Sequence, residues 1–401
     1  MCKNAKVLLI VSTLFTFAMG LSGIFVNVFF WKETSSFIVI TVYNLINYVT
    51  TPIIFVLAGV LSKKKNGIWS LRIGLLGYAL FYILILMVGN KGISYIYLLG
   101  AVHGLAAGFY WLAFNTLSFD FTHVNNRDSF NGFNGSLCGI ASAVAPISSA
   151  YMITRFTGIT GYRIVFTITF AVFIVLVFIS AILKCENYSS KLNFKKAFSG
   201  NCEEWRTIRK ATIFWSFRDV IIVFLINILV IETTGSELSL GKLSLIASVT
   251  SSASYVLVQK IIKPCYRKTS IAIGTIGLFV AVLALVINIT YGTLLIYTVM
   301  DAFFLPFFMI QLSSSTFNVI NRAHEEDMRI EYMINKDIVL NSGRSISAIL
   351  LIMLLSTFKH ISILKVYLIF IGLAPVVSGY FLGKLKKVLD GSPIPEVKIK
   401  N

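Results

Sequence analysis

Charged side chains inside apolar segments long enough to cross a membrane are the residues of this sequence whose chemistry stands out. The clearest cases are Arg218, Asp219, Asp301, Asp337 and Arg344. Asp337, Asn341 and Arg344 recur at spacings of four and three, which places them on one face of a helix. A charge inside a bilayer costs roughly 2.5 to 3.5 kcal/mol on insertion scales, so each of these residues needs a partner or a function.

The pairing of these charges has more than one solution in the sequence. Arg344 can pair with Asp337 through the intervening Asn341, or with Asp301 across a helix interface. Arg218 is the third candidate for a buried charge pair, together with the acidic residue that follows it. All of these pairs can be purely structural.

The amino-acid composition indicates that the helices carrying these charges lie in a membrane. Of 401 residues, 57% are hydrophobic and 13% are charged, against roughly 25% charged in an ordinary soluble domain. This excludes a soluble enzyme and predicts an all-α membrane protein, because about 20 apolar residues in a helix cross a bilayer. The twelve predicted transmembrane helices lie at about 7–31, 37–62, 69–89, 93–118, 130–153, 162–184, 211–231, 239–262, 269–290, 293–320, 333–356 and 361–385.

A basic stretch divides these segments into two groups of six. It contains Trp205 and several lysines and arginines. That composition suits a segment on the inner membrane face, and an ordinary solvated linker fits it equally well. The predicted units are an N-terminal six-helix half (1–184), a cytoplasmic basic linker (185–210) and a C-terminal six-helix half (211–401).

The distribution of basic residues predicts the orientation. The formal charge of +18 would indicate nucleic acid in a soluble protein, but beside membrane spans it indicates the anionic inner leaflet. With both termini inside, the inner segments hold 26 of the 35 lysines and arginines and the outer loops hold 7. We therefore expect an N-in, C-in multi-pass protein whose partner is membrane lipid and not nucleic acid.

The two halves are similar to each other at an offset of 200 residues. Identical pairs at this offset are Asn27 and Asn227, Lys63 and Lys263, Gly74 and Gly274, and Gly77 and Gly277. One register holds from the first predicted helix to the fourth and then slips by about two residues. A six-helix unit duplicated in parallel orientation predicts two pseudo-symmetric bundles.

Motifs in the first half resemble those of the major facilitator superfamily. After the second helix, Gly59, Lys63 and Lys64 stand in the frame of the family's Gly-x-Leu-x-Asp-Arg gating loop, with Lys63 at the acidic position. On the fourth helix, Gly100 replaces the arginine of the exporters' Arg-x-x-Gln-Gly pattern, and His103 replaces its glutamine.

The resemblance extends to the fifth helix and to more particular stretches. The antiporter pattern of small residues keeps its spacing from Gly132 to Pro146 and beyond, with Ala or Ser at most of the glycine positions. Residues 109–115, 127–132 and 234–237 resemble a group of uncharacterised Gram-positive bacterial permeases. The resemblance implies the major facilitator fold and a bacterial cytoplasmic membrane.

In that fold the first, fourth, seventh and tenth helices line a central cavity, which implies a set of substrate-contacting residues. Thr16 and Asn27 share one face of the first helix, and Trp111 and Asn115 share one face of the fourth. Aromatic side chains on the fourth and tenth helices favour an amphipathic organic molecule over a sugar, although Phe can equally face lipid. The cavity candidates are Thr16, Asn27, Trp111, Asn115, Asn227, Phe304, Phe308 and Gln311.

Three residues are candidates for proton coupling. Asp301 is the first, because a carboxyl in a partly dehydrated cavity can exchange protons near neutral pH. Asp219 is the second. His103 is the third because imidazole titrates near neutrality without help, but a single membrane histidine is more often a hydrogen-bonded packing residue.

The sequence predicts a secondary transporter. It contains no nucleotide-binding loop, nucleophile triad or metal-ligand cluster, so we expect no enzyme, no cofactor and no metal site. The hypothesis is a monomer that exports a small amphipathic organic compound in exchange for protons by alternating access. The alternatives are an importer of a small metabolite and a transport-inactive sensor or partner protein, for which Lys63 and Gly100 at the motif positions are the main arguments.

Overall fold

A computed structural model describes residues 2–122, 124–156, 158–184, 191–199, 202–323, 325–358 and 363–389. The N-terminal half contains α1 (Lys3–Thr34), α2 (Phe37–Lys64), α3 (Gly67–Val88), α4 (Ile96–Asp120), α5 (Val124–Arg155) and α6 (Thr160–Ser180). After a short helix, α7 (Phe194–Phe198), come α8 (Glu203–Ser216), α9 (Ile226–Thr234), α10 (Glu237–Ile261), α11 (Arg267–Ile287), α12 (Tyr291–Arg322), α13 (Arg329–Thr357), α14 (Ile363–Gly383) and α15 (Lys386–Leu389). Within the described ranges every regular element is helical.

The prediction of an all-α membrane protein is confirmed. Among the described residues, eleven helices are long and apolar enough to cross a membrane. The twelfth crossing, which we call span 7, consists of α8, a π-helical turn at Ile221–Leu225 and α9. The single uninterrupted helix predicted at 211–231 is therefore wrong in detail, since span 7 begins at Glu203 and is broken near its middle.

The break in span 7 is stabilised by its neighbour α13. The backbone N–H groups of Phe217 and Arg218 donate to carbonyls three residues back, so the regular α-helical ladder is lost there. The Ser347 hydroxyl donates to the Phe217 carbonyl at 2.8 Å. A freed carbonyl inside a membrane protein needs such a donor, because lipid offers none.

The halves repeat each other closely at the offset of 200. The residue after α1 is Ser35 with φ 47°, and the residue after α9 is Gly235 with φ 64°, so both halves turn through the same left-handed conformation. The glycine match also has a packing equivalent. A Cβ at Gly74 would lie 2.5 Å from the Tyr110 backbone nitrogen, and one at Gly274 would lie 2.9 Å from that of Phe308.

Both described termini lie at one end of the bundle, which we call the terminal end; the opposite end is the distal end. At the terminal end, Asn4 Nδ2 donates to the Lys184 carbonyl at 2.6 Å, and Arg267 donates to the Leu389 carbonyl at 3.0 Å. The halves meet along two helix pairs, α2 with α13 and α5 with α10.

The basic linker is partly docked onto the C-terminal half. Asn335 of α13 donates to the carbonyls of Ala197 and Ser199, and the Trp205 indole donates to the Asn335 amide oxygen at 2.9 Å. Trp205 is fully buried and belongs to α8, so the C-terminal part of the predicted linker is helical.

Candidate functional site

Two neighbouring residues at the break of span 7 form ion pairs of opposite polarity. Arg218 pairs with Asp301 of α12, and Asp219 accepts a hydrogen bond from Arg344 Nε of α13 at 2.7 Å. The Arg218 guanidinium also lies 4.7 Å from the ring centroid of Trp215. The predicted pairing of Arg344 with Asp301 is therefore wrong, because the broken helix places a separate partner beside each of them.

A chain of hydrogen bonds continues from Arg344 along α13. Arg344 Nη1 donates to Asn341 Oδ1 at 3.3 Å, and Asn341 Nδ2 donates to Asp337 Oδ2 at 3.0 Å. The predicted link between Arg344 and Asp337 through Asn341 is present in the structure. On the other side, the Arg344 guanidinium lies 5.6 Å from the ring of Tyr48 on α2, whose buried hydroxyl has no hydrogen-bond partner in the described structure.

The N-terminal half contributes aromatic and amide groups instead of charges. Trp111 of α4 contacts Phe15 of α1 with its ring edge yet remains 45% exposed, and Asn115 one turn further is also exposed. Thr16 of α1 donates to Cys138 Sγ of α5 at 3.3 Å. The side chains of Thr16, Trp111 and Asn115 are uncharged.

Several predicted cavity residues lie in packed interiors. Asn27 is 4% exposed and accepts a hydrogen bond from Asn44 of α2. Phe308 is fully buried and stacks on Trp215. Gln311 is likewise buried, and Asn227 and Phe304 are partly buried.

His103 lies in an aromatic pocket of the N-terminal half. Its Nδ1 is 2.8 Å from the Tyr43 hydroxyl, and its ring stacks on Phe81 and meets the edge of Tyr78. This is the environment of a packing histidine, so a proton-coupling role for His103 stays a prediction that its surroundings do not favour.

The terminal end is closed where α2 meets α13. A Cβ at Gly59 would lie 2.7 Å from Ile334 Cδ1, so glycine allows the two helices to touch. Lys63 Nζ lies 3.5 Å from Glu331 Oε1 and donates to the Asp327 carbonyl at 3.1 Å. Lys64 is exposed and lies outside this contact.

A second contact between the halves supports the terminal-end closure. Arg329 at the start of α13 forms an ion pair with Asp120 at the end of α4. The guanidinium of Arg329 also lies 4.6 Å from the ring of Phe119.

The distal end is closed by a different set of groups. Lys32 of α1 and Tyr162 of α6 both donate to the same carboxylate oxygen of Glu237 at the start of α10. A recess of about 600 Å³ lies beside this contact and includes Glu33 and Phe156 in its lining. One residue of the C-terminal half thereby ties down two helices of the other half.

The pair α5 and α10 is packed at the distal end and separated at the terminal end. A Cβ at Gly241 would lie 2.6 Å from Ala150 Cβ, and Ser248 donates to the Ser142 carbonyl. From Gly139 toward the terminal end, however, the packing is lost, because nothing lies within 4 Å of a Cβ built at Gly132 or at Gly135. The halves are therefore in contact along α2 and α13 at the terminal end but apart along α5 and α10.

Sequence reasoning assigned no contact to Glu331, Glu237, Tyr162 or Tyr48, and it did not predict the pairing of Asp120 with Arg329. Most of these lie at helix ends, where a charge is ordinarily solvated, and their partners are distant in sequence. One signal was available: Lys32 and Glu237 each flank a turn of the repeated Thr-x-Ser type at positions 34–36 and 234–236.

The profile of the Major Facilitator Superfamily matches residues 7–328. The chain belongs to this superfamily of membrane transporters. It is 35% identical over 387 residues to the uncharacterized protein YqgE of Bacillus subtilis, covering 96% of this chain and 90% of that one. It is also 39% identical over 164 residues to an uncharacterized protein from the sodM 3′ region of Geobacillus stearothermophilus, covering 41% of this chain and 77% of that one.

Solved transporter structures share the fold. A bacterial homologue of the iron transporter ferroportin, in an inward-facing state, superposes with a TM-score of 0.71 at 16% identity, covering 96% of this chain and 98% of that one. The nucleoside transporter NupG gives 0.68 at 14% identity, covering 95% and 98%, and the E. coli fucose:proton symporter gives 0.64 at 13%, also covering 95% and 98%. These likenesses establish the multi-pass fold of a major facilitator transporter.

Proposed function

We propose that this chain is a proton-coupled exporter that moves a small amphipathic organic compound across the bacterial cytoplasmic membrane by alternating access. The observation that carries the proposal is the presence of two closures at opposite ends of the interface between the halves. Lys63 with Glu331 closes the terminal end, and Lys32 with Glu237 closes the distal end. Each closure consists of side-chain contacts that can separate without unfolding a helix.

The cargo class follows from the chemistry of the two inner surfaces. The N-terminal half offers the exposed Trp111 and Asn115, whereas the C-terminal half offers the ion pair of Asp219 and Arg344, both of which are only partly buried. An aromatic and amide surface opposite a charged one suits a molecule with an apolar body and a polar or charged group.

The terminal end is assigned to the cytoplasm. Lys63, Lys64 and Lys65 lie there, together with the docked basic linker. Basic loops are retained on the cytoplasmic side of bacterial membranes, which supports the N-in, C-in orientation. We propose that the transporter works as a monomer, since each chain contains both halves.

The structure offers physical reasons for the two motif departures that favour a transport-inactive sensor. A Cβ at Gly100 would lie 2.8 Å from the Tyr43 carbonyl oxygen, so the position of the missing arginine is taken up by contact between α4 and α2. Lys63 has a carboxylate partner on the other half, so an ion pair remains at the gating loop with Lys63 as its cation. Neither departure requires loss of transport.

The test begins with metabolite profiling of a deletion strain against its parent to identify the compound that changes. That compound is then offered to inverted and to right-side-out membrane vesicles energised by a proton gradient. Export predicts accumulation in inverted vesicles that a protonophore abolishes. Accumulation in right-side-out vesicles would establish an importer, and equal, gradient-independent exchange in both would refute proton coupling.

A further inference from the structure

The charges around span 7 leave one carboxylate without a cation. Two ion pairs account for Arg218 with Asp301 and for Arg344 with Asp219. Asp337 has no basic side chain within ion-pair distance in the described part of the chain, and its side-chain hydrogen bond comes from the neutral amide of Asn341.

The surroundings of Asp337 contain few other titratable groups. Arg344, one helical turn beyond Asn341, is the charged group close enough to act on it. Lys336 precedes it on α13, but its ammonium contacts Thr316 Oγ1 of α12 at 3.5 Å. The remaining groups of the network are Arg218 and Asp219 in span 7, Asp301 on α12 and Tyr48 on α2.

These partners determine which carboxyl can bind a proton at the lowest cost. A proton on Asp301 leaves the buried Arg218 guanidinium without its counter-charge, at a cost of about 3–5 kcal/mol for a broken buried pair, and a proton on Asp219 does the same to the partly buried Arg344 at a smaller cost. A proton on Asp337 leaves no cation unpaired. The neutral carboxyl then needs an acceptor, which Asn341 provides when its side-chain amide rotates by half a turn.

We propose that Asp337 is the proton-binding site of this transporter and that Asn341 passes its protonation state to Arg344. With Asp337 ionised, Asn341 donates to Asp337 and accepts from Arg344. When a proton from water binds Asp337, the rotated amide accepts from the carboxyl and turns its NH₂ group toward the guanidinium. Two donors then face each other, and Arg344 is held by Asp219 alone.

The consequence is a change in how α13 is tied to the broken helix. Arg344 belongs to α13 and reaches span 7 through the Nε bond to Asp219, while its Nη1 bond to Asn341 holds the guanidinium against its own helix. Loss of the Asn341 bond frees the guanidinium to move with Asp219 and span 7. This inference rests on the proposed function, because it names the residue at which the coupling proton binds.

Infrared difference spectroscopy of the purified protein in lipid nanodiscs tests the site without any cargo. A protonated carboxyl has a carbonyl stretching band that titrates with pH and shifts in heavy water. We expect Asp337→Asn to lose one titrating band and Asp337→Glu to move it, while the matched neighbour variant Lys336→Met keeps it. No titrating band in the native protein, or an unchanged band in Asp337→Asn, would overturn the proposal.

The proposed relay from Asp337 through Asn341 to Arg344 is tested by a distance measurement. Spin labels at positions 133 and 256, on the separated parts of α5 and α10, report the distance between the halves as pH changes. We expect Asn341→Leu to keep the titrating band but lose the pH dependence of this distance, and an unaltered pH response would refute the relay. Vesicle transport separates the two hypotheses: a titrating Asp337 without gradient-driven transport refutes the proposed function, whereas gradient-driven transport without a titrating Asp337 refutes the site.

Discussion

Lys63 and Glu331 form an ion pair that joins α2 of the N-terminal half to α13 of the C-terminal half, with 3.5 Å between Nζ and Oε1. Both side chains are almost completely buried, and the same carboxylate oxygen of Glu331 accepts a hydrogen bond from the Asn193 backbone. The linker, α2 and α13 therefore meet at one carboxylate.

Glu331→Gln should open the terminal end of the interface. The change removes the Glu331 charge from the buried pair with Lys63, at a cost of about 3–5 kcal/mol for a broken buried pair. A cysteine introduced at Ile334 should then react faster with a thiol reagent applied from the terminal side. The exchanged pair Lys63→Glu with Glu331→Lys should restore slow labelling, and Lys64→Gln should change nothing, because Lys64 is exposed. Equal labelling in Glu331→Gln and the native protein would contradict this role.

Gly241→Ala should destabilise the distal closure, because the new methyl would lie 2.6 Å from Ala150 Cβ and 3.2 Å from the Pro146 carbonyl. Helix backbone cannot move aside as a flexible side chain can, so the population closed at the distal end should fall. Gly132→Ala is the matched control: its Cβ meets open space, and the gain in helix propensity is about 0.5–1 kcal/mol. Distances between spin labels on α5 and α10 measure both variants, and similar behaviour of the two would refute the packing argument.

Asp301→Asn should lower the thermal stability of the purified protein, since it leaves Arg218 unpaired beside Trp215. The loss should be about 3–5 kcal/mol of unfolding free energy. Adding Arg218→Met should recover most of it, because the pair is then replaced by neutral groups. Glu232→Gln, an exposed position at the end of span 7, serves as the control. A stable Asp301→Asn protein would show that the pair contributes little and would return Asp301 to the candidates for proton coupling.

Docking of α7 should depend on pH through Glu325, which lies between α12 and α13. Burial raises the pKa of this carboxyl, but hydrogen bonds from Lys196 and Tyr332 outweigh it and leave the pKa below its usual value. The docked state is thus stabilised at neutral pH and loses this stabilisation as pH falls through the lowered pKa. Limited proteolysis at residues 191–199 should accelerate in acid. In Glu325→Gln we expect fast cleavage at every pH, and an acid-dependent rate in that variant would assign the effect to another group.

The helices could be predicted from the sequence because their signal is local. Apolar segments predicted eleven of the membrane crossings. The offset of 200 residues predicted the duplication, including the equivalence of Gly74 and Gly274. The break in span 7 could not be predicted, since its apolar run is continuous apart from Arg218 and Asp219. The Ser347 hydroxyl, which donates to the freed Phe217 carbonyl, lies far away in sequence.

The sequence predicted which charged residues belong to the candidate site, but it did not predict which of them pair with each other. Asp337, Asn341 and Arg344 form the chain that their spacing predicted, because one helix fixes their geometry. The partners of Asp301 and Asp219 depend on how three helices rotate about their axes, which one sequence does not determine. Asn27 lies on the helix face that the periodicity predicted for cavity residues. In the structure, however, its amide oxygen accepts a hydrogen bond from Asn44 of the neighbouring helix α2.

The charged residues around the break of span 7 all belong to the C-terminal half of a duplicated molecule. At the offset of 200, the positions of Arg218, Asp219 and Asp301 are occupied in the first half by Ala18, Met19 and Ala101. Arg218, Lys336 and Arg344 balance Asp219, Asp301 and Asp337, so a bound proton would give this group of six residues one net positive charge inside the membrane. A membrane potential acts on such a charge with about 2.3 kcal/mol per 100 mV across the full bilayer. Voltage would therefore act on this group in the C-terminal half, whereas the positions equivalent to Arg218, Asp219 and Asp301 in the N-terminal half carry no charge.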